Sequence, residues 1–219
     1  FIFDPSLVLF LPLYKRDGLT FPSDDAYGHL ATVTGALWTP QGRSFDGTDD
    51  KITLDDTLVS SPTNFQASDF TLELWAKFNN FNNIQVLWSK GTHSAGTGVY
   101  YFDMRNSTEL FVTIDRTGVG LVSETFGTFF VAGDAGNWLH IVIVKAGATL
   151  TAYKNLIATV GTQTFGIVPS NTVSTKFGIY GEGTLNPLNG MIGEARGYNR
   201  AFNPLELQHN CLATKWRYR

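Results

Sequence analysis

Asp46, Asp49 and Asp50 lie within the run FDGTDD, and hard carboxylate oxygens at that spacing suit a calcium ion if backbone carbonyls complete the shell. An Asp-Gly turn accounts for the same residues without a metal, and the distal Glu of an EF-hand loop is missing. Two further acids, Glu73 and Glu194, sit in β-rich runs. A retaining glycosidase needs two carboxyls about 5 Å apart on one face, which a Glu-x-Asp strand supplies. No Glu-x-Asp occurs in this chain, since Glu73 is followed by Trp75 and Glu194 by Arg196. Both acids are therefore read as structural, paired with strand neighbours such as Lys77 or Arg196. A hydrolase would have to bring its acids together from different strands.

His29, His93, His140 and His209 share no short metal-ligand spacing, and His140 reads as a core or sheet residue within an apolar run. The chain has neither a Gly-x-Ser-x-Gly elbow nor a phosphate-binding Gly-Lys loop. Its one cysteine, Cys211, excludes an internal disulfide framework, a CxxC redox pair and cysteine-rich zinc sites. Aromatic rings in polar loops stack on sugar faces. Trp38, Phe81, His93 and Tyr100 are the candidates, beside the loops NNFNN (79–83) and GTHSAGTG (91–98). Against them stands the composition: at 14% aromatic residues, most rings must fill a core.

The elements that position these groups are short β-rich runs divided by Gly, Asn, Asp and Ser clusters. In FTLELWAKF (70–78) the period of two puts Phe70, Leu72, Leu74, Ala76 and Phe78 on one face. The run WLHIVIVK (138–145) is apolar on both faces, as a strand covered on each side must be. Trp138, Ile141, Ile143 and Ile192 are expected to join the interior. Further strands are expected near 6–13, 43–46, 51–54, 84–90, 99–104, 109–116, 119–123, 149–154, 156–161, 176–181 and 190–198. Asn155-Leu156 is placed to turn a hairpin, with Asn taking a positive φ. Helical signals gather at the C-terminus, where Asn203 can cap, Pro204 fits the first turn and Glu206 can reach back. Leu205, Leu207 and Cys211 or Leu212 would face inward. The prediction is an all-β antiparallel two-sheet sandwich with a short C-terminal helix, one domain over residues 1–219.

Over 219 residues the formal charge is −3, which supplies no basic field for phosphates, so nucleic acid and anionic membranes are poor partners. The longest apolar run, Leu7 to Leu13, is broken by Pro12 and is shorter than the roughly 20 residues of a membrane helix.

Five segments occur in an order that resembles a laminin G-like, concanavalin A-like jelly-roll domain: GRSFDGTDDKITL (42–54), FTLELWAKF (70–78), LWSKG (87–91), NWLHIVIVKAGATLTAYKN (137–155) and LNGMIGEARGYNRAFNPLEL (188–207). The resemblance implies a jelly roll and a structural calcium site to which an Asp of the closing strand often contributes. Gly193 stands where that Asp is usual, so calcium binding is expected to be weak. The functional expectation is a non-catalytic recognition or adhesion module with carbohydrate as its ligand. The alternative is a structural module, such as a virion decoration or surface-layer domain, working through contacts with its own copies or a larger assembly. Either implies an extracellular, cell-surface or virion-surface location.

Overall fold

The computed structural model describes residues 4–58, 60–65, 69–91, 99–116, 119–181 and 185–219. The early strands are β1 (Leu7–Leu11), β2 (Thr20–Pro22), β3 (Leu30–Thr34), β4 (Leu37–Thr39), β5 (Gly42–Asp46) and β6 (Lys51–Leu54). The central ones are β7 (Phe70–Phe78), β8 (Gln85–Lys90), β9 (Tyr100–Arg105), β10 (Glu109–Arg116), β11 (Gly120–Phe126) and β12 (Trp138–Ala146). The chain closes with β13 (Thr149–Lys154), β14 (Ile157–Val160), β15 (Thr175–Phe177), β16 (Asn189–Tyr198) and the helix α1 (Pro204–Thr214).

One sheet runs β14-β13-β12-β7-β16-β5-β4, with β1 also paired to β16, and the other runs β11-β10-β9-β8-β15-β6-β3-β2. Every pairing between these strands is antiparallel. The two inner faces share one apolar core, in which Leu74, Ile141 and Ile192 of the first sheet join Ile52, Trp88 and Phe102 of the second. The predicted all-β sandwich is the observed architecture.

The outer face of the first sheet is covered by α1. Val142 and Val144 of β12 pack with Tyr198, Phe202 and Leu207, while Trp75 packs with Cys211 and Tyr218. This explains why β12 is apolar on both faces. Phe70, Leu72, Leu74, Ala76, Phe78, Ile141, Ile143 and Ile192 line the shared core as expected. Trp138 does not. It has the parity of His140 and Val142, so it lies on the helix side, against Tyr218 at 4.8 Å between ring centroids.

The expected caps form: Asn203 Oδ1 accepts from the backbone N–H of Leu205 and of Glu206, and the Glu206 carboxylate accepts from Asn203 N–H. Leu207 and Cys211 face inward, whereas Leu205 is 75% exposed and Leu212 is also exposed. At about 100° per residue Leu205 falls on the far side from Leu207. The β13–β14 hairpin turns on Asn155 and Leu156, both at positive φ (51° and 72°). Sequence reading left β2, β3 and β4 unassigned. In β3, Ala31 and Val33 are the buried positions, and such small residues leave a faint alternation.

Candidate functional site

The turn after β5 gathers the three aspartates. One carboxylate oxygen from each lies within 4.8 Å of those of the other two, with Asp46 and Asp49 exposed and Asp50 buried. Asp46 Oδ1 accepts from Thr48 N–H at 2.8 Å, and Asp50 Oδ2 accepts from Asp46 N–H at 2.9 Å, so the turn is folded by its own side chains. Gly35 packs against this carboxylate: a Cβ there would fall 1.8 Å from Asp50 Oδ1. Burial pushes the Asp50 carboxyl up, the hydrogen bond from Asp46 N–H works against it, and the charges of Asp46 and Asp49 add to the rise. Among the described residues no cation pairs with any of the three. A divalent cation would relieve that mutual repulsion, so the donor set fits calcium.

Beside this turn lies a polar hollow of about 280 Å³ lined by Gly47, Asn80, Asn82, Asn83, Gln85, Pro187 and Asn189. The loop after β7 brings Asn80, Asn82 and Asn83. Gln85 opens β8, and Asn189 opens β16 directly opposite Asp46. Gln85 braces the hollow: its Nε2 donates to Asn80 O at 2.7 Å and its Oε1 accepts from Asn189 N–H at 2.9 Å. Asn79 Nδ2 donates to Asn189 Oδ1 at 2.8 Å. Carboxamides both donate and accept, so a convergent set of them matches vicinal hydroxyls. The density of Asn in 79–83 was the available signal. Gln85 and Asn189 reach the hollow through strand pairing, which no local pattern displays.

The aromatic candidates separate. Trp38 is 41% exposed on β4, its Nε1 donating to Tyr14 O at 3.1 Å, so its ring is open to a ligand but distant in sequence from the hollow's loops. Phe81 is buried within the NNFNN loop, its ring tilted against Phe78 and Phe130 at 5.3 and 5.5 Å between centroids. Tyr100 is buried at 1% exposure, its hydroxyl donating to Thr63 O. Neither ring can present a stacking face. An apolar ring buries even when its sequence neighbours are polar. His93 lies outside the described residues.

The structure does bring the separated acids together, beneath α1. Glu73 Oε1 lies 2.7 Å from His140 Nε2, Glu73 Oε2 accepts from Asn210 Nδ2 at 2.8 Å, and Arg196 Nη2 donates to Glu194 Oε1 at 2.8 Å. Arg196 Nη1 is 3.9 Å from Glu73, and Arg217 Nη1 is 3.6 Å from Glu194. The expected Arg196 partnership holds. Lys77 instead sits over the Trp138 ring. A bulge at Gly193 turns Glu194 and Arg196 to this side while Ile192 and Ala195 face the core. Burial alone would raise both acids. At Glu73 the hydrogen bonds and charges of His140, Arg196 and Asn210 overcome it and lower the carboxyl, whereas Glu194 stays raised. Both acids are buried, so they border no open groove. His140 is fully buried, as expected of a sheet residue.

Two antiparallel sheets with the acidic turn at one rim define a lectin-like jelly roll. The chain belongs to the concanavalin A-like lectin/glucanases superfamily, whose laminin G-type family model matches residues 46–208. A search of curated proteins by sequence finds no match. Among solved structures, the binding domain of botulinum neurotoxin DC in complex with SialylT matches with a TM-score of 0.71 at 13% identity, over 95% of this chain and 52% of that one. The receptor binding domain of the botulinum neurotoxin C/D mosaic serotype matches at 0.73 and 12% identity, over 95% and 51%. Trypanosoma rangeli sialidase in complex with sialic acid matches at 0.72 and 16% identity, over 98% and 34%. The chain thus spans about half of the toxin domains and a third of the sialidase. These likenesses establish the fold, which hosts binders and enzymes alike.

Proposed function

We propose that the chain, acting as one domain over 1–219, is a non-catalytic carbohydrate-recognition module whose ligand sits in the carboxamide hollow beside the acidic turn. The observation that carries this reading is the convergence of Asn80, Asn82, Asn83, Gln85 and Asn189 on one hollow, next to three carboxylates. Amides without an aromatic platform favour a hydroxyl-rich ligand held edge-on by hydrogen bonds. The toxin domain seen with SialylT and the sialidase seen with sialic acid make glycans the natural ligand class to test. The burial of Glu73 and Glu194 beneath α1 supports the absence of glycoside hydrolysis. Calcium at Asp46, Asp49 and Asp50 would brace the rim of the hollow. On this reading the module would act at an extracellular, cell or virion surface. A glycan array tests the reading: selective binding that an Asn82→Ala, Asn83→Ala double variant weakens tenfold or more supports it, and a blank array contradicts it.

A second reading, assembly with copies of itself or a larger structure, rests on the edges of the first sheet. β14 is exposed along its whole length, with Ile157 71% exposed, and β4 at the opposite edge exposes Leu37 equally. Open apolar edge strands are templates for pairing. Mass measurement in solution decides it, since assembly predicts a species larger than the 24.1 kDa monomer.

A further inference from the structure

We propose that β14 is a self-association edge, along which two copies of the chain pair antiparallel about a twofold axis at Thr159, continuing the first sheet from one copy into the other. The pairing rests on the assembly reading above, for which it names strand, partner and register, and is independent of the glycan reading. β14 ends the first sheet, paired to β13 alone, and its four residues are all exposed, Ile157 by 71% and Val160 by 62%. The other edges are guarded. β2 and β4 are three residues long, and β2 ends in Pro22, which has no N–H. The free side of β1 is met by residues 24–25, since Phe10 N–H donates to Asp25 and Asp24 N–H donates to Phe10 O. Beside β11, Glu124 accepts from the N–H groups of Thr162 and Gln163 at 2.6 and 2.7 Å and so holds that segment against the strand.

The backbone of β14 states what can dock there. Gly161 N–H donates to Leu150 O at 2.8 Å, so Ile157, Thr159 and Gly161 turn their backbone groups to β13, and by the alternation of an antiparallel ladder Ala158 and Val160 turn theirs away. Among the described residues these outward groups bond to no other backbone. Another extended strand offers the alternating donors and acceptors that match them. Charge selects a second copy. A twofold axis sets charges beside their like, and the chain from Asn155 to Thr175 carries no charged residue. Lys154, across the hairpin from Ile157, is already paired with Asp134 at 2.7 Å.

The turn fixes the register. Leu156 stands at φ 72° and cannot extend a ladder, so the usable residues run from 157 to 161, with Thr159 at their centre. About that axis Ala158 lies opposite the partner's Val160 and exchanges both backbone bonds with it, Ile157 lies opposite the partner's Gly161, and the two Thr159 side chains face each other. Like faces stay together, because Thr159 pairs with Ala152, whose side chain joins the core, and Ile157 shares its parity. So short a strand makes a weak, concentration-dependent dimer.

Sedimentation equilibrium of the unaltered chain should show the mass rising from 24.1 kDa toward twice that value between about 10 µM and about 1 mM protein. Thr159→Lys, at an exposed position that leaves the β13 ladder intact, sets two ammonium groups face to face and should weaken dimerisation about tenfold or more, as should Thr159→Glu. Mixed together, the two variants should dimerise again. Val160→Pro removes an outward donor and should abolish pairing. A monomer at about 1 mM would overturn both the pairing and the assembly reading. A dimer indifferent to all three substitutions, or a Lys and Glu mixture that stays monomeric, would overturn the axis at Thr159 and leave assembly to another surface such as β4. Masses climbing past the dimer would overturn the closed twofold.

Discussion

Asn189 of β16 stands directly across from Asp46 of β5, and Gly193 lies four residues further along the same strand. At about 3.3 Å per residue that offset is about 13 Å. A carboxylate at 193 therefore could not join the acidic turn. Its glycine answers a packing demand, since a Cβ there would meet the Tyr218 ring at 2.2 Å.

Gly193→Asp should accordingly destabilise the fold by about 2 kcal/mol or more through overpacking and leave calcium binding no tighter. Denaturant unfolding with and without calcium checks this. A stable variant with strengthened calcium binding would show that the closing strand reaches the turn after all.

Calcium itself should bind weakly. With a Kd near 1 mM, millimolar calcium adds about 0.4 kcal/mol and raises Tm by about 1 °C. Asp50→Asn should abolish the shift and, by removing a buried carboxylate that its neighbours repel, raise Tm in chelator. A calcium shift above about 5 °C would mean that further ligands complete the site.

The His140–Glu73 pair gives stability a defined pH dependence. Burial opposes the charge on His140, but Cys211 and Glu73 raise it from 6.5 to about 9, so its contribution is complete below about pH 6.5 and is lost as pH climbs through 9. The loss is at most about 3 kcal/mol. Glu73, held below its ordinary value, contributes above about pH 4.5 and loses that as pH falls. Unfolding midpoints from pH 6 to 10 should decline, and His140→Gln should flatten the alkaline limb. Equal slopes in both proteins would contradict the pairing.

Glu73→Gln should cost about 3 kcal/mol or more, because His140 then stays buried without its carboxylate and Arg196 keeps only Glu194. A loss under 1 kcal/mol in denaturant titration would show that the cluster is rearranged or hydrated.

The strands with large alternating residues, β7 and β12, and the capped helix could be read from sequence because period and capping chemistry are local. Trp138 was misplaced because a strand covered on both faces loses the contrast that sets parity. Phe81 shows the same limit in a loop: four Asn neighbours suggested exposure, while Phe78 and Phe130 bury it. Gly193 was read as a missing ligand because a bulge depends on the partner strand and on Tyr218, both remote in sequence. The carboxamide hollow was legible at Asn80, Asn82 and Asn83 alone, since Gln85 and Asn189 arrive there through pairing.

The most direct measurement is a backbone and side-chain amide NMR titration with the strongest glycan from the array. Shifts concentrated at Gly47, Asn80, Asn82, Asn83, Gln85 and Asn189 are the predicted result. Shifts centred on Trp38 and β4, on β14, or nowhere despite saturating glycan would contradict recognition through the hollow.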